Sequence, residues 1–220
     1  MPGPSTYPMA VEDYVKVVYA HTEWQPEPIT TSVLAGRLGL AASSVTEMVK
    51  KLGAQGLVDH VPYGAVTLTT DGTALALRML RRHRLIETWL VQHFGYGWDE
   101  VHDEAEVLEH SLSDRLLDKI DEQLGYPVRD PHGDPIPSRA GLIEQPAAVL
   151  LRTVDAGETV RVVRISDRDP LLLRHLEAEE ITLDRAFTVV STDPFVVNVD
   201  GAEGGRTIAP DSLDSVWVSR

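Results

Sequence analysis

The chain has 220 residues, is 43% hydrophobic, carries a formal charge of −14 at neutral pH and contains no cysteine. That is enough apolar content for two modest domains with real cores, and it excludes disulfides and thiolate metal sites, leaving His, Asp and Glu as metal ligands. No apolar run reaches membrane-spanning length, and the opening MPGPSTYPM lacks the basic and apolar blocks of a secretion signal, so a cytoplasmic protein with no membrane partner is expected.

The net charge argues against nucleic acid, but its distribution does not. Between Thr30 and Leu85 seven Lys/Arg face three acids, whereas from Ile86 onward 12 basic residues face 27 acidic ones. A basic N-terminal third on an acidic remainder suits a DNA-reading module joined to something else.

The proline-rich residues before Met9 are expected to be disordered. From Met9 to about His21, Val11, Tyr14, Val15 and Val18 share one helical face, with Asp13, Lys16 and Ala20 opposite. WQPEP at 24–28 ends this helix. Val33, Leu34 and Leu38 then mark a short amphipathic helix and Gly39 a turn. A second helix follows, capped by Ser43 or Ser44, burying Val45, Met48, Val49 and Leu52 and ending at Gly53 and Gly56. Two short helices across a tight turn make a helix-turn-helix. Residues 59–72, with a Pro62-Tyr63-Gly64 turn and an alternating Ala65 to Thr69 strand, add a hairpin, and the combination is a winged helix.

A long helix is expected from about Thr73 to Phe94, then a helix over EVHDEAEVLEH (100–110), then an amphipathic helix over 111–125. Residues 129–141 are rich in proline and glycine and read as loop, with a domain boundary at 138–147. After Pro146 short alternating segments such as ETVRVVRI and FVVNVD predict a small barrel. One helix interrupts it, DPLLLRHLEAE, which Asp169 can cap.

Helical spacing of 100° per residue places His102, Glu106, Glu109 and His110 on one narrow arc, apart from the apolar stripe of Val101, Ala105, Leu108 and Leu112. Clustered carboxylates repel one another unless a cation neutralises them. On the preceding helix His83 and Glu87 stand four apart, a spacing at which two side chains can share an ion. With no sulfur in the set, a harder divalent ion is favoured. A solvated acidic face with incidental histidines is the competing reading.

With these segments in view, the chain resembles the diphtheria toxin repressor family of metal-dependent transcriptional regulators. The likeness lies in the winged helix, RRHRLIETWL, EVHDEAEVLEHSLSD, the loop ending GDPIP and the terminal barrel. It implies a mainly α fold with a small β part: a winged helix-turn-helix (1–74), a helical metal-binding and dimerisation domain (75–140) and an SH3-like barrel of the FeoA type (141–220). It implies a non-enzymatic repressor that binds palindromic operator DNA as a homodimer, with a divalent metal as corepressor. Asp13 and Glu106 stand where the family's iron regulators place methionine and cysteine, so the resemblance is to its actinobacterial manganese regulators. Mn²⁺ is then the expected cofactor, with Fe²⁺, Co²⁺ or Zn²⁺ as substitutes, and manganese uptake genes the expected targets.

The primary site implied is Asp13, Glu106, Glu109 and His110. The secondary site is His83, Glu87 and His102 with Asp169, Asp167 being the substitute for the last. Lys16 stands where short manganese regulators have a further carboxylate. The DNA-binding surface implied comprises Arg37, Ala41, Ser43, Ser44, Thr46, Glu47, Lys50, Lys51 and the wing residue Tyr63. The alternatives are an Fe²⁺ or Zn²⁺ sensor on the same fold, a repressor gated by an organic ligand, and a metal-dependent hydrolase. The last has neither an HExxH segment nor an evident nucleophile–base pair.

Overall fold

The computed structural model describes residues 7–25, 27–60 and 64–220. They form two compact units. The first contains residues up to 83 with 109–117 and 137–142, and the second contains 84–108, 118–136 and 143–220.

In the first unit, α1 (Met9–Thr22) buries Val11, Tyr14, Val15 and Val18 as its spacing predicts. A two-residue strand, β1 (Ile29–Thr30), leads into α2 (Thr31–Leu38), whose first turn is closed by the Thr30 hydroxyl accepting the Val33 amide at 3.3 Å. Gly39 ends that helix with φ of 64°, a left-handed geometry that glycine adopts without steric cost. The next helix, α3 (Ala42–Ala54), begins earlier than expected. Its cap position is Ala41, with no side-chain bond, and Ser43 and Ser44 lie inside the helix. The extended Ala41 backbone after the Gly39 turn sets the start, so no serine is required there.

The wing follows, with β2 (Val58–His60) antiparallel to β3 (Ala65–Leu68). Val61 and the expected turn residues Pro62 and Tyr63 lie outside the described residues. β3 also pairs with β1, giving the order β1-β3-β2. The long helix is α4 (Thr70–Phe94). Leu34, Val45, Val49, Leu52, Leu57, Val66 and Ala76 join the α1 residues in one core.

Helix α5 (Val101–Leu108) ends two residues short of the predicted helix, so Glu109 and His110 occupy a turn. Helix α6 spans Asp114–Gln123, and the Ser113 hydroxyl accepts the Leu116 amide at its start.

The second unit contains a six-stranded antiparallel sheet in the order β4-β9-β5-β6-β7-β8. The strands are β4 (Val149–Leu150), β5 (Thr159–Ile165), β6 (Ala186–Thr192), β7 (Phe195–Val199), β8 (Arg206–Thr207) and β9 (Val216–Ser219). They enclose Val162, Ile165, Phe187, Val197 and Val218 together with Leu173 and Leu176 of α7 (Pro170–Ala178). Asp169 caps α7 as expected, accepting the Leu171 amide at 2.9 Å.

The loop at 129–136 is an ordered element of this unit. Asp130 Oδ1 accepts the amides of His132 and Asp134 at 2.8 and 2.9 Å, and Ile165 donates its amide to the His132 carbonyl at 2.9 Å. Arg164 donates to Asp134 at 2.7 Å while its guanidinium lies over the Trp217 ring at 4.3 Å. Gly133 has φ of 93°, and a Cβ there would fall inside the van der Waals radius of the Val163 carbonyl oxygen. Gly133→Ala is therefore expected to lose about 1–3 kcal/mol of stability by displacing the loop from β5. Thermal melting checks this; an unchanged melting temperature contradicts it.

Candidate metal centre

The first site is built around Glu109, which has no exposed surface. Lys16 Nζ donates to its Oε1 at 2.6 Å, and His83 Nδ1 lies 2.6 Å from its Oε2. Arg82 holds the turn that carries it, donating to the Glu109 carbonyl at 2.6 Å, to the Leu112 carbonyl and to Asp114 at 2.7 Å. Burial by itself pushes the Glu109 carboxyl up; the His83 ring and the Lys16 ammonium overcome it and hold the group below the usual carboxylate range.

His110 completes the group. Its Nε2 lies 2.9 Å from Asp13 Oδ1 and 3.3 Å from Glu109 Oε1, and its Nδ1 is 2.7 Å from Glu12 Oε2. Donor atoms of Asp13, Glu109 and His110 all fall within 4.8 Å of one another, close enough to share one ion. Three carboxylates (Glu12, Asp13, Glu109) against one ammonium (Lys16) leave a formal −2, which a divalent cation balances. The donors are oxygen and nitrogen only, a set that fits a harder divalent metal.

Two residues of this site were not legible as such. Lys16 reads from α1 alone as solvent-facing, yet it is 6% exposed because Glu109 draws its ammonium inward. Glu12 lies on the flank of the apolar stripe and is 4% exposed. Glu106 belongs to the second unit, where its Oε1 is 3.6 Å from His102 Nε2. His83, assigned from the sequence to the second site, makes its hydrogen bond to Glu109.

In the second unit His102 Nδ1 is 3.4 Å from Glu87 and 3.3 Å from Asp167. Asp167 therefore takes the place expected for Asp169, whose carboxylate is committed to capping α7. Burial works against the charge on His102, but Asp167 and Glu87 raise its pKa well above the ordinary histidine value. Asp167 is held well below the usual carboxylate range, the His102 charge outweighing burial.

Beside them Glu87, Asp130 and His132 form a buried cluster, in which Glu87 comes from α4 while the sequence shows Asp130 and His132 only as members of a turn-rich loop. His132 Nδ1 is 3.9 Å from Glu87, and its Nε2 lies 2.6 Å from the Trp98 carbonyl. Burial, then Asp134 and Glu87, push the Asp130 carboxyl up to about 8.

Ala41 at the cap of α3 and Ser43, Ser44, Glu47, Lys50 and Lys51 within it are exposed. Lys50 pairs with Glu47 at 2.8 Å, the Thr46 hydroxyl donates to the Ala42 carbonyl at 2.8 Å, and Arg37 is half-buried. Tyr63 lies outside the described residues. No helix among the described residues is long and apolar enough to cross a membrane.

A winged helix joined to carboxylate–histidine clusters defines a metal-responsive DNA-binding regulator, and comparison with known proteins agrees. Residues 9–66 match the iron dependent repressor N-terminal DNA binding domain, 69–138 the iron dependent repressor metal binding and dimerisation domain, and 149–218 the FeoA domain. The diphtheria toxin repressor of Corynebacterium efficiens is 31% identical over 86% of this chain and 84% of its own. A manganese-dependent transcriptional repressor solved with manganese is 46% identical, with a TM-score of 0.90 over 94% of this chain and 98% of that one. ScaR with bound Zn²⁺ is 30% identical, with a TM-score of 0.81 over 96% and 99%. The chain belongs to the diphtheria toxin repressor family of metal-dependent transcriptional repressors, which are regulators and not enzymes.

Because the Glu109 pKa is depressed in the folded state, its contribution to stability is fully present above the unfolded carboxylate pKa and is lost as pH falls through the folded value. In metal-free protein, Glu109→Gln should remove part of the acid limb of the melting-temperature profile. An acid limb identical to wild type contradicts this.

Proposed function

We propose that the chain is a manganese(II)-activated repressor that holds the ion with Asp13, Glu109 and His110 and binds a palindromic operator as a homodimer. The observation that carries this reading is the convergence of Asp13, Glu109 and His110, all oxygen and nitrogen donors, in a group of formal charge −2. Manganese binds most weakly of the divalent series, so a sulfur-free set matched in hardness is what selects it. The solved neighbour at 46% identity, a manganese-dependent repressor, supports the same choice of metal, and genes of manganese uptake are the targets we propose for this chain.

When bound, the ion supplies a divalent charge shared between α1 and the turn after α5. Asp13 contributes from α1 and Glu109 and His110 from the turn, so occupancy favours the arrangement in which these segments are closed together. A second site is assembled from Glu87, His102 and Asp167, with Asp130 and His132 as neighbours of Glu87. The division of labour is a DNA-binding module at 1–74, a dimerising metal module at 75–140 and a barrel at 141–220. In the homodimer the two copies of α3 address successive major-groove half-sites. Lys50, Lys51, Ser44 and Thr46 serve phosphates, and Ala41, Ser43 and Glu47 face bases. Arg37 and the wing residue Tyr63 meet the adjacent backbone.

Operator binding measured across Mn²⁺, Fe²⁺, Co²⁺ and Zn²⁺ tests this. Mn²⁺ should stimulate binding strongly and chelator should abolish it, and His110→Ala should lose the stimulation while melting as a folded protein. Equal affinity with and without metal rejects metal activation, and a response to Fe²⁺ or Zn²⁺ alone rejects manganese. Affinity should also fall steeply with salt, because phosphate contacts release counterions.

A further inference from the structure

We infer that Glu12 is a positioning residue for the metal ligand His110: its carboxylate accepts the Nδ1 proton and thereby commits Nε2 to the ion shared with Asp13 and Glu109. The inference rests on the metal-site reading above. Consecutive residues of α1 reach opposite nitrogens of one ring. Glu12 Oε2 is 2.7 Å from Nδ1, and Asp13 Oδ1 is 2.9 Å from Nε2. A neutral imidazole offers one lone pair, and the hydrogen bond at one nitrogen decides which of the two carries it. With Glu12 at Nδ1, the lone pair faces Asp13 and Glu109.

Burial strengthens the assignment. Glu12 is 4% exposed, and a carboxylate removed from water needs a hydrogen-bonding partner. Its Oε2 has His110, and its Oε1 has no hydrogen-bond partner among the described residues. Glu12 therefore serves the ring, while the converging donors are those of Asp13, Glu109 and His110. It also fixes the plane of the imidazole, whose other edge must meet two carboxylates from different segments.

Two measurements on the full chain decide this. In ¹⁵N-histidine protein loaded with diamagnetic Zn²⁺ or Cd²⁺, long-range proton–nitrogen correlations should show His110, identified by its loss in His110→Gln, protonated at Nδ1 and metal-bound at Nε2. Coordination through Nδ1 overturns the inference. In Mn²⁺ titrations, Glu12→Ala should bind about 10- to 100-fold more weakly than wild type. Glu12→Gln, whose amide oxygen still accepts from Nδ1, should recover most of that loss. Wild-type affinity in Glu12→Ala, or a Glu12→Gln as weak as Glu12→Ala, overturns it. Should Glu12→Ala not fold, the ring state in the wild-type protein decides. If wild type takes up no divalent ion through His110, the metal-site reading falls and this inference with it. If the ion binds but the ring state or the substitutions disagree, only the role of Glu12 falls.

Discussion

Glu109 has no exposed surface, and an ionised carboxylate taken out of water costs several kcal/mol unless charge and hydrogen bonds answer it. Here both oxygens are answered, one by Lys16 from α1 and the other by His83 from α4. Its backbone carbonyl is taken by Arg82. One side chain thus ties α1, α4 and the turn after α5, and His110 brings Asp13 and Glu12 into the same group. The arrangement keeps several acids close without a repulsive excess larger than one divalent ion can neutralise. Lys16 matters to that balance: a further carboxylate in its place would change the charge of the group by two.

The second unit solves a related problem with a loop. Asp130 and Asp134 are buried, and the backbone amides of the loop, Arg84 and Arg164 surround them. Arg84 also donates to the Pro135 carbonyl at 2.7 Å, so the loop is fastened to α4 as well as to β5. Gly133 permits the close approach to β5. The same loop carries His132 to Glu87, which places a histidine far along the chain beside residues of α4.

Much of this was legible in the sequence. The apolar spacing of α1 and α3, the alternation of the barrel strands and the Asp169 cap each follow from a local rule, and the structure obeys them. Misreadings arose where a distant partner decided the outcome. Helical spacing carried on to His110, but α5 stops at Leu108, and the turn brings Glu109 inward by a different route than a continued helix. Lys16 is solvent-facing by the pattern of α1 and buried by its bond to a residue 93 positions away. Asp167 and Asp169 are equivalent in composition; α7 begins at Pro170 and claims the nearer one as its cap, leaving the other for His102. Ser43 and Ser44 are good capping residues, but the backbone after Gly39 had already set the helix start.

The strand order of the barrel has a consequence for the protein's life in solution. Its two outer strands, β4 and β8, are two residues each, whereas the inner strands run to seven. A sheet recruits foreign strands through long runs of unpaired amides and carbonyls along its rim. Edges this short offer a passing chain almost nothing to extend. Copies of this chain therefore gain little by joining through the rim of this sheet.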